Sequence, residues 1–117
     1  MAFKFEQLKV WQRAVAMSNE VYVLTETFPK KEMYVLTPQM QRAADSISLN
    51  IAEGSTGQFN KEFNRFLGYS LRSGLEVVNC LYLGIGRNLI SKEQFDKFYR
   101  GLEEITKIIQ GFRISLK

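Results

Sequence analysis

Histidine is absent from this 117-residue sequence, and cysteine occurs once, as Cys80. The absence of histidine removes the commonest general base and the commonest metal ligand of proteins. A lone cysteine forms no internal disulfide and builds no zinc site, and without histidine it lacks the usual partner that activates a thiol nucleophile. The composition therefore predicts a protein that is not an enzyme and that holds neither a metal ion nor a cofactor.

Proline and long apolar runs are also scarce. Pro29 and Pro38 are the only prolines, and no apolar run approaches the roughly 20 residues of a membrane-spanning helix. The first residues acquire charge at once and lack the apolar stretch of a signal peptide. With one unpaired cysteine, these features predict a cytoplasmic protein that does not enter a membrane.

Loops that bind phosphate are not evident either. The sequence has no G-x-x-x-x-G-K-[ST] motif and no G-x-G-x-x-G motif that follows a strand. The "GSTG" stretch at residues 54–57 resembles the backbone-gripping loop of KH domains, but those domains need a sheet that this sequence does not predict. Two interpretations stay open for this loop: a plain helix stop and turn, or an anion site at the start of the next helix.

Apolar residues recur every three or four positions, and strict alternation is rare, which predicts helices rather than strands. We expect one all-α domain over residues 1–117. The helices are predicted at about residues 5–27, 38–53, 59–86 and 92–115. Short connections between them favour an antiparallel up-down-up-down four-helix bundle.

Local signals set the predicted helix ends. Thr37 is a natural N-cap residue with Pro38 directly after it, and Gly54 is placed as the glycine that ends the second helix. Ser91 and Gln94 have the spacing of a capping box, in which each side chain bonds the backbone N–H of the other residue.

Two predicted helices carry more apolar surface than one bundle face covers. The first helix has two apolar stripes, and the third is apolar on nearly every side in "LEVVNCLYLGI" at residues 75–85. This pattern predicts a homo-oligomer, although both stripes of the first helix also fit within one broad core contact. The predicted interface residues are Val10, Met17, Val21, Leu24, Val78 and Tyr82.

Positive charge is concentrated in the second half of the sequence. Residues 1–58 carry six basic and six acidic side chains, whereas residues 59–117 carry ten basic and six acidic ones, giving the net charge of +4. This asymmetry favours an anionic partner such as RNA or DNA, or else it is only a solvated face. The predicted phosphate-binding residues are Lys61, Arg65, Arg72, Lys107 and Arg113.

No aromatic platform for stacking bases is evident from the sequence, so the predicted contact is made through phosphates, depends on salt and tolerates any base sequence. The alternative function is a protein–protein scaffold, which the surplus apolar surface of the first and third helices would support.

The end of the second helix holds an acid, Glu53, where the helix dipole disfavours negative charge. In a helical hairpin Glu53 would face Lys61 and Arg65, and an ion pair would offset that placement. Asn50 lies one turn earlier and is expected to bond the loop or the third helix. We therefore predict that Asn50, Glu53 and Gly54 fix the hairpin, with Asp45, Glu53 and Glu76 solvated or ion-paired rather than catalytic.

Three stretches resemble a known family: "FPKKEMYVLTPQ" at 28–39, "RAADSISLNIAEG" at 42–54 and "EFNRFL" at 62–67. They are similar to the bacterial four-helix-bundle proteins that are encoded by intervening sequences in large-subunit ribosomal RNA genes. Gln41 and Asp45 depart from that pattern and lower the positive charge of the second helix.

The resemblance implies a four-helix bundle, often assembled as a ring-shaped homopentamer, with no catalytic residues to carry over. It also implies a relative in the accessory protein of diversity-generating retroelements, which binds a reverse transcriptase and nucleic acid. The partners expected from the resemblance are thus further copies of the chain, RNA or DNA, and a partner protein.

Overall fold

The computed structural model describes residues 2–57 and 59–117. These residues form four long helices and no strand. The helices are α1 (Lys9–Glu26), α2 (Leu36–Ser55), α3 (Asn60–Gly86) and α4 (Lys92–Ser115). Short 3₁₀ turns occupy Lys4–Gln7 and Lys30–Glu32. The predicted all-α fold with four helices is confirmed.

Adjacent helices run antiparallel, as the contacts between α1 and α2 show. Ser18 of α1 donates a hydrogen bond to Asp45 of α2, and Gln41 donates to Thr25 at 2.8 Å. Thr25, the later of these two α1 residues, thus contacts Gln41, the earlier of the two α2 residues, so the helices run in opposite directions. The Asp45 carboxylate thus accepts a bond from a buried serine.

Contacts between neighbouring helices continue around the bundle. Ser70 of α3 donates to the backbone oxygen of Ile47 on α2 at 2.7 Å, and α3 in turn packs against α4. An ion pair between Arg13 of α1 and Glu104 of α4 closes the bundle. Each helix therefore contacts its two neighbours in sequence order, with α4 returning to α1.

The core lies between the four helices and takes up one of the two apolar stripes of α1. Val10, Met17, Val21 and Leu24 are at most 5% exposed within a single chain. Their assignment to an interface between chains was wrong, because these side chains already fill the core of their own bundle. The buried apolar residues of the other helices are Leu36, Met40, Ala43, Ala44, Ile47, Ile51, Phe63, Leu67, Val77, Cys80, Leu81, Phe98, Leu102, Ile105 and Ile109.

The predicted first helix is interrupted near its start. Leu8 has extended backbone dihedrals, so the 3₁₀ turn at Lys4–Gln7 is separate and α1 begins at Lys9. Phe5 packs edge-on against Trp11 with ring centroids 4.9 Å apart. This contact folds the turn back along α1 instead of extending the helix.

Helix α2 begins two residues before the predicted start, and Thr37 is not its N-cap. Val35 occupies the cap position and makes no side-chain cap bond, while the buried Glu32 carboxylate accepts the backbone N–H of Leu36 at 3.3 Å. Glu32 also pairs with Arg87 at the end of α3, with Nη1 and Oε1 3.3 Å apart. Pro38 still lies in the first turn, where a backbone N–H has no helical acceptor.

Gly54 does not end α2, contrary to the prediction, because the helix continues to Ser55. It is buried at a close approach to α3, where an added Cβ would lie 2.5 Å from the Cβ of Phe66. Its lack of a side chain thus serves packing between helices, not a turn.

Helix α3 ends with a recognisable cap, and helix α4 begins with one. Asn88 has a φ of 59°, and Leu89 donates its backbone N–H to the oxygen of Gly84 at 2.8 Å, which is the hydrogen bond of a Schellman cap. The Ser91–Gln94 capping box is present: Gln94 N–H donates to Ser91 Oγ at 3.1 Å and Ser91 N–H donates to Gln94 Oε1 at 2.8 Å.

Candidate nucleic-acid interface

Four of the five predicted basic residues line adjoining clefts where the start of α3 meets the end of α4. We call the two clefts together the basic cleft, after the four cations that line them: Lys61, Arg65, Arg72 and Arg113. Its first part has a volume of about 680 Å³ and is lined by Phe59, Lys61, Glu62, Asn64, Arg65 and Arg113. Its second part, of about 350 Å³, is lined by Arg65, Gly68, Tyr69, Leu71, Arg72, Leu75 and Arg113.

Arg113 is held in place across α3. Its Nε donates to the side-chain oxygen of Asn64 at 2.7 Å, and the side chain is half-buried. A Cβ added to Gly68 would lie 3.4 Å from the guanidinium carbon, so the cation lies within van der Waals distance of this part of α3. The guanidinium is therefore preorganised and belongs to both parts of the cleft.

Arg65 is exposed and lies over the ring of Phe66, with its guanidinium carbon 5.6 Å from the ring centroid. Among residues 2–57 and 59–117, no ion pair joins Glu53 to Lys61 or Arg65. The prediction that Glu53 fixes the helical hairpin through an ion pair is therefore wrong. Its backbone oxygen instead accepts the hydroxyl of Thr56 at 2.8 Å as the helix ends.

Asn50 connects α2 to α3 indirectly. Its amide donates to the backbone oxygen and hydroxyl of Ser46 at 2.8 and 2.9 Å, and Ser73 of α3 donates to the same hydroxyl at 2.8 Å. The expected direct bond from Asn50 to the loop or to α3 is replaced by this relay through Ser46.

Lys107 does not belong with the other four cations. It is exposed on α4, two residues and about 200° around the helix from the buried Ile105. It therefore lies on the face of α4 away from the core, outside the residues that line either part of the cleft.

The clefts contain two exposed aromatic side chains that the sequence did not reveal. Phe59 is 69% exposed and Tyr69 is 41% exposed, and each lines one part of the basic cleft. Phe59 occupies the N-cap position of α3 without a side-chain cap bond. The sequence offers one signal for Phe59: a phenylalanine occupies an N-cap position, where serine, threonine or aspartate is preferred.

A second surface shares Leu71 and Leu75 with the second part of the cleft and continues from there along α3. Leu71, Leu75, Val78 and Tyr82 follow a helical spacing of four, three and four, and we call them the apolar strip. Leu75 and Tyr82 are more than half exposed, whereas Leu71 and Val78 are half-buried against the core. Of the predicted interface residues, only Val78 and Tyr82 therefore lie where a second chain has access.

Neither metal-site geometry nor a membrane span is found in the part of the chain that the structure describes. Those residues contain no group of three or more metal-ligating cysteines or acids, and none of their helices is long and apolar enough to cross a membrane. Cys80 is buried, and burial, followed by the negative charge of Glu76, raises the pKa of its thiol to about 11.

The fold is similar to that of a solved structure, the crystal structure of a protein with unknown function from the S23 ribosomal protein family of Bacteroides thetaiotaomicron. The two share 23% sequence identity and a TM-score of 0.83 over 89% of this chain and 97% of that chain. At this identity the likeness shows the fold alone. No curated protein matches the chain. The family model for 23S rRNA-intervening sequence proteins matches residues 6–111, and the chain therefore belongs to that family.

Proposed function

We propose that the protein is a non-enzymatic adaptor that binds RNA or DNA through backbone phosphates in the basic cleft. The observation that carries the proposal is the half-buried Arg113, which Asn64 holds beside the exposed Lys61 and Arg65. A planar guanidinium binds phosphate oxygens through paired N–H groups, and a fixed one loses less freedom on binding.

The charge balance of the cleft supports the same partner. Four cations line its two parts, and the one carboxylate among the lining residues is Glu62. Because each phosphate contact releases counterions, four contacts predict a slope of roughly −3 to −4 in a plot of log affinity against log salt concentration. Base identity would matter little, since phosphates carry no sequence information.

Fluorescence anisotropy with a labelled RNA of mixed sequence, repeated over a range of salt concentrations, tests the proposal. The double variant Lys61→Ala with Arg72→Ala should bind every sequence more weakly and flatten the salt slope by about two units. The matched control is Lys30→Ala with Lys107→Ala, which removes the same charge outside the cleft. Absence of binding at low salt, or equal slopes for the two double variants, would refute the cleft as a phosphate site.

Assembly into a ring of identical chains is the second part of the proposal. Several copies would bring several basic clefts together and raise both the local potential and the avidity for one nucleic-acid strand. The apolar strip supports association, because Leu75 and Tyr82 are 57% and 55% exposed in the single chain. Large apolar side chains exposed along one helix face, as Leu75 and Tyr82 are, commonly mark a protein–protein contact.

The same strip favours a second function, that of a scaffold or accessory subunit for another protein with no direct nucleic-acid contact. The two functions differ in their response to salt, because apolar contact is not weakened by salt as phosphate contact is. A protein that fails to bind nucleic acid at low salt but still self-associates through the strip would favour the scaffold.

A further inference from the structure

We infer that the basic cleft binds unpaired nucleotides, with bases stacked on Phe59 and Tyr69 and phosphates bound by the neighbouring cations. The inference rests on the proposed binding of nucleic acid and names the form of that ligand. Each part of the cleft combines an exposed aromatic ring with cations, which is how proteins bind single strands without reading their sequence.

Phe59 is exposed in a way that the fold does not account for. With 69% of its surface accessible it adds little to the core, and as the N-cap residue of α3 it makes no side-chain cap hydrogen bond. It lines the larger part of the cleft beside Lys61, Arg65 and Arg113. A base that stacked on this ring would cover apolar surface and leave its phosphate among the three cations.

Tyr69 supplies the corresponding ring in the second part of the cleft, beside Arg72 and Arg113. Its ring packs edge-on against Phe66 at 5.6 Å and an interplanar angle of 81°, a contact that fixes its orientation. Phe59 and Tyr69 are ten residues apart, which corresponds to roughly 15 Å along a helix. Arg65 and Arg113 line both parts, so the rings and cations suit a strand of several nucleotides.

The rings discriminate between unpaired and paired nucleic acid because of where base faces lie. In a duplex the faces are stacked on neighbouring base pairs and only the edges reach the grooves. An aromatic side chain therefore stacks on a base that is unpaired, as in single strands and loops. Glu62, the acid of the first part, would repel phosphate, which directs the backbone toward the cations.

The test compares a labelled single strand with a duplex of equal length, measured by anisotropy at one low salt concentration. We expect tighter binding of the single strand by the wild-type protein. Phe59→Leu, which keeps an apolar side chain but removes the ring, should lower the ratio of single-strand to duplex affinity about tenfold. Tyr69→Leu should lower it in the same direction. Tyr34→Leu, which alters an 88% exposed tyrosine at the opposite end of the bundle, should leave the ratio unchanged.

A spectroscopic variant reports stacking directly. Phe59→Trp should retain single-strand binding, and the fluorescence of the new indole should be quenched by an unlabelled single strand. The native Trp11, which packs against Phe5 beside α1, provides the background signal in the wild-type protein. Circular dichroism confirms that each variant keeps its helix content.

Each outcome decides one of the two proposals. Equal affinity for single strand and duplex in the wild-type protein, or an unchanged ratio together with an unquenched Phe59→Trp indole, overturns stacking and leaves phosphate binding intact. Failure to bind either ligand at low salt overturns the proposed function itself. A lowered ratio with a quenched indole supports binding of unpaired nucleotides.

Discussion

Arg113 of α4 is attached to Asn64 of α3 by a hydrogen bond of 2.7 Å from Nε to the side-chain oxygen. Asn64 also donates its amide to the backbone oxygen of Arg113 at 3.4 Å. The reciprocal pair joins the last turns of α4 to the first turns of α3 and orients the guanidinium. Since the bond occupies the Nε–H group, the N–H groups on the two Nη atoms can meet a phosphate.

Asn64→Asp should weaken nucleic-acid binding roughly tenfold, because a carboxylate beside Arg113 would pair with the cation and repel phosphate. The loss corresponds to about one charge-assisted hydrogen bond of 1.5 kcal/mol. Asn64→Ala should have a smaller effect, since it removes the orienting bond without adding charge. Anisotropy at fixed salt measures both, and unchanged binding by Asn64→Asp would exclude Arg113 from the site.

Gly54→Ala should lower the free energy of unfolding by about 1–3 kcal/mol, because the new Cβ would lie 2.5 Å from the Cβ of Phe66. The matched control is Gly111→Ala in α4, where an added Cβ has nothing within 4 Å. That variant should raise stability by up to about 1 kcal/mol through helix propensity. Urea denaturation measures the difference, and equal effects at the two glycines would argue against a close approach at Gly54.

Much of the fold was predictable because helical periodicity and capping are local properties. The Ser91–Gln94 box predicted the start of α4 at the residue where the helix begins. The start of α2 was not predictable in this way, because its first turn is capped by Glu32, a buried acid from the preceding 3₁₀ turn. Gly54 was misread for a related reason: the close approach of α3 is a property of tertiary packing.

Long-range packing also decided which apolar stripe of α1 is buried. Both stripes have helical spacing, and only the positions of α2 and α4 turn Val10 and Met17 inward. The charge of the site was predictable from residue counts, and four of the five cations do adjoin one another. The exposure of Phe59 and Tyr69 was not, since sequence periodicity does not reveal which aromatic rings remain accessible.

Two double-mutant cycles distinguish a real ion pair from the one that the sequence suggested. Glu32→Ala and Arg87→Ala should be non-additive by about 0.5–3 kcal/mol, because Glu32 is buried and its carboxylate is 3.3 Å from Arg87 Nη1. Glu53→Ala and Arg65→Ala should add within about 0.5 kcal/mol, since the two side chains form no ion pair. Chemical denaturation of the single and double variants measures both couplings, and the reverse result would contradict the described geometry.

Cys80 should make stability depend on pH in the alkaline range. The folded protein raises the pKa of the thiol from 9.0 to about 11, so between these values the unfolded state loses its proton first. Deprotonation then favours unfolding, and the free energy of unfolding should fall by up to roughly 2–3 kcal/mol as the pH rises from about 9 to 11.

Cys80→Ala removes this contribution, so the difference between the pH profiles of wild type and variant isolates it from titrating lysines and tyrosines. The native thiol should also resist alkylation at pH 8 and react once the protein is unfolded in urea. Parallel stability profiles, or rapid alkylation of the folded protein, would contradict burial of the thiol.

The last prediction concerns self-association through the apolar strip. Two glutamate substitutions, one on the strip and one in the core, distinguish loss of assembly from loss of folding. Tyr82 is 55% exposed on α3, so Tyr82→Glu should dissociate the assembly to the 13.6 kDa single chain while helix content is kept. Met17 is 5% exposed and its methyl group packs against Gly101, so Met17→Glu should instead unfold the chain by burying an unpaired charge.

Analytical ultracentrifugation and circular dichroism together measure these outcomes. Val23→Glu is the matched control, because Val23 is 65% exposed on α1 and lies outside the strip. It should keep both the assembly and the helix content. A wild-type protein that sediments as a single chain at micromolar concentration would refute association. Dissociation by Val23→Glu but not by Tyr82→Glu would move the interface from α3 to α1, because a charge disrupts packing only where a second chain covers it.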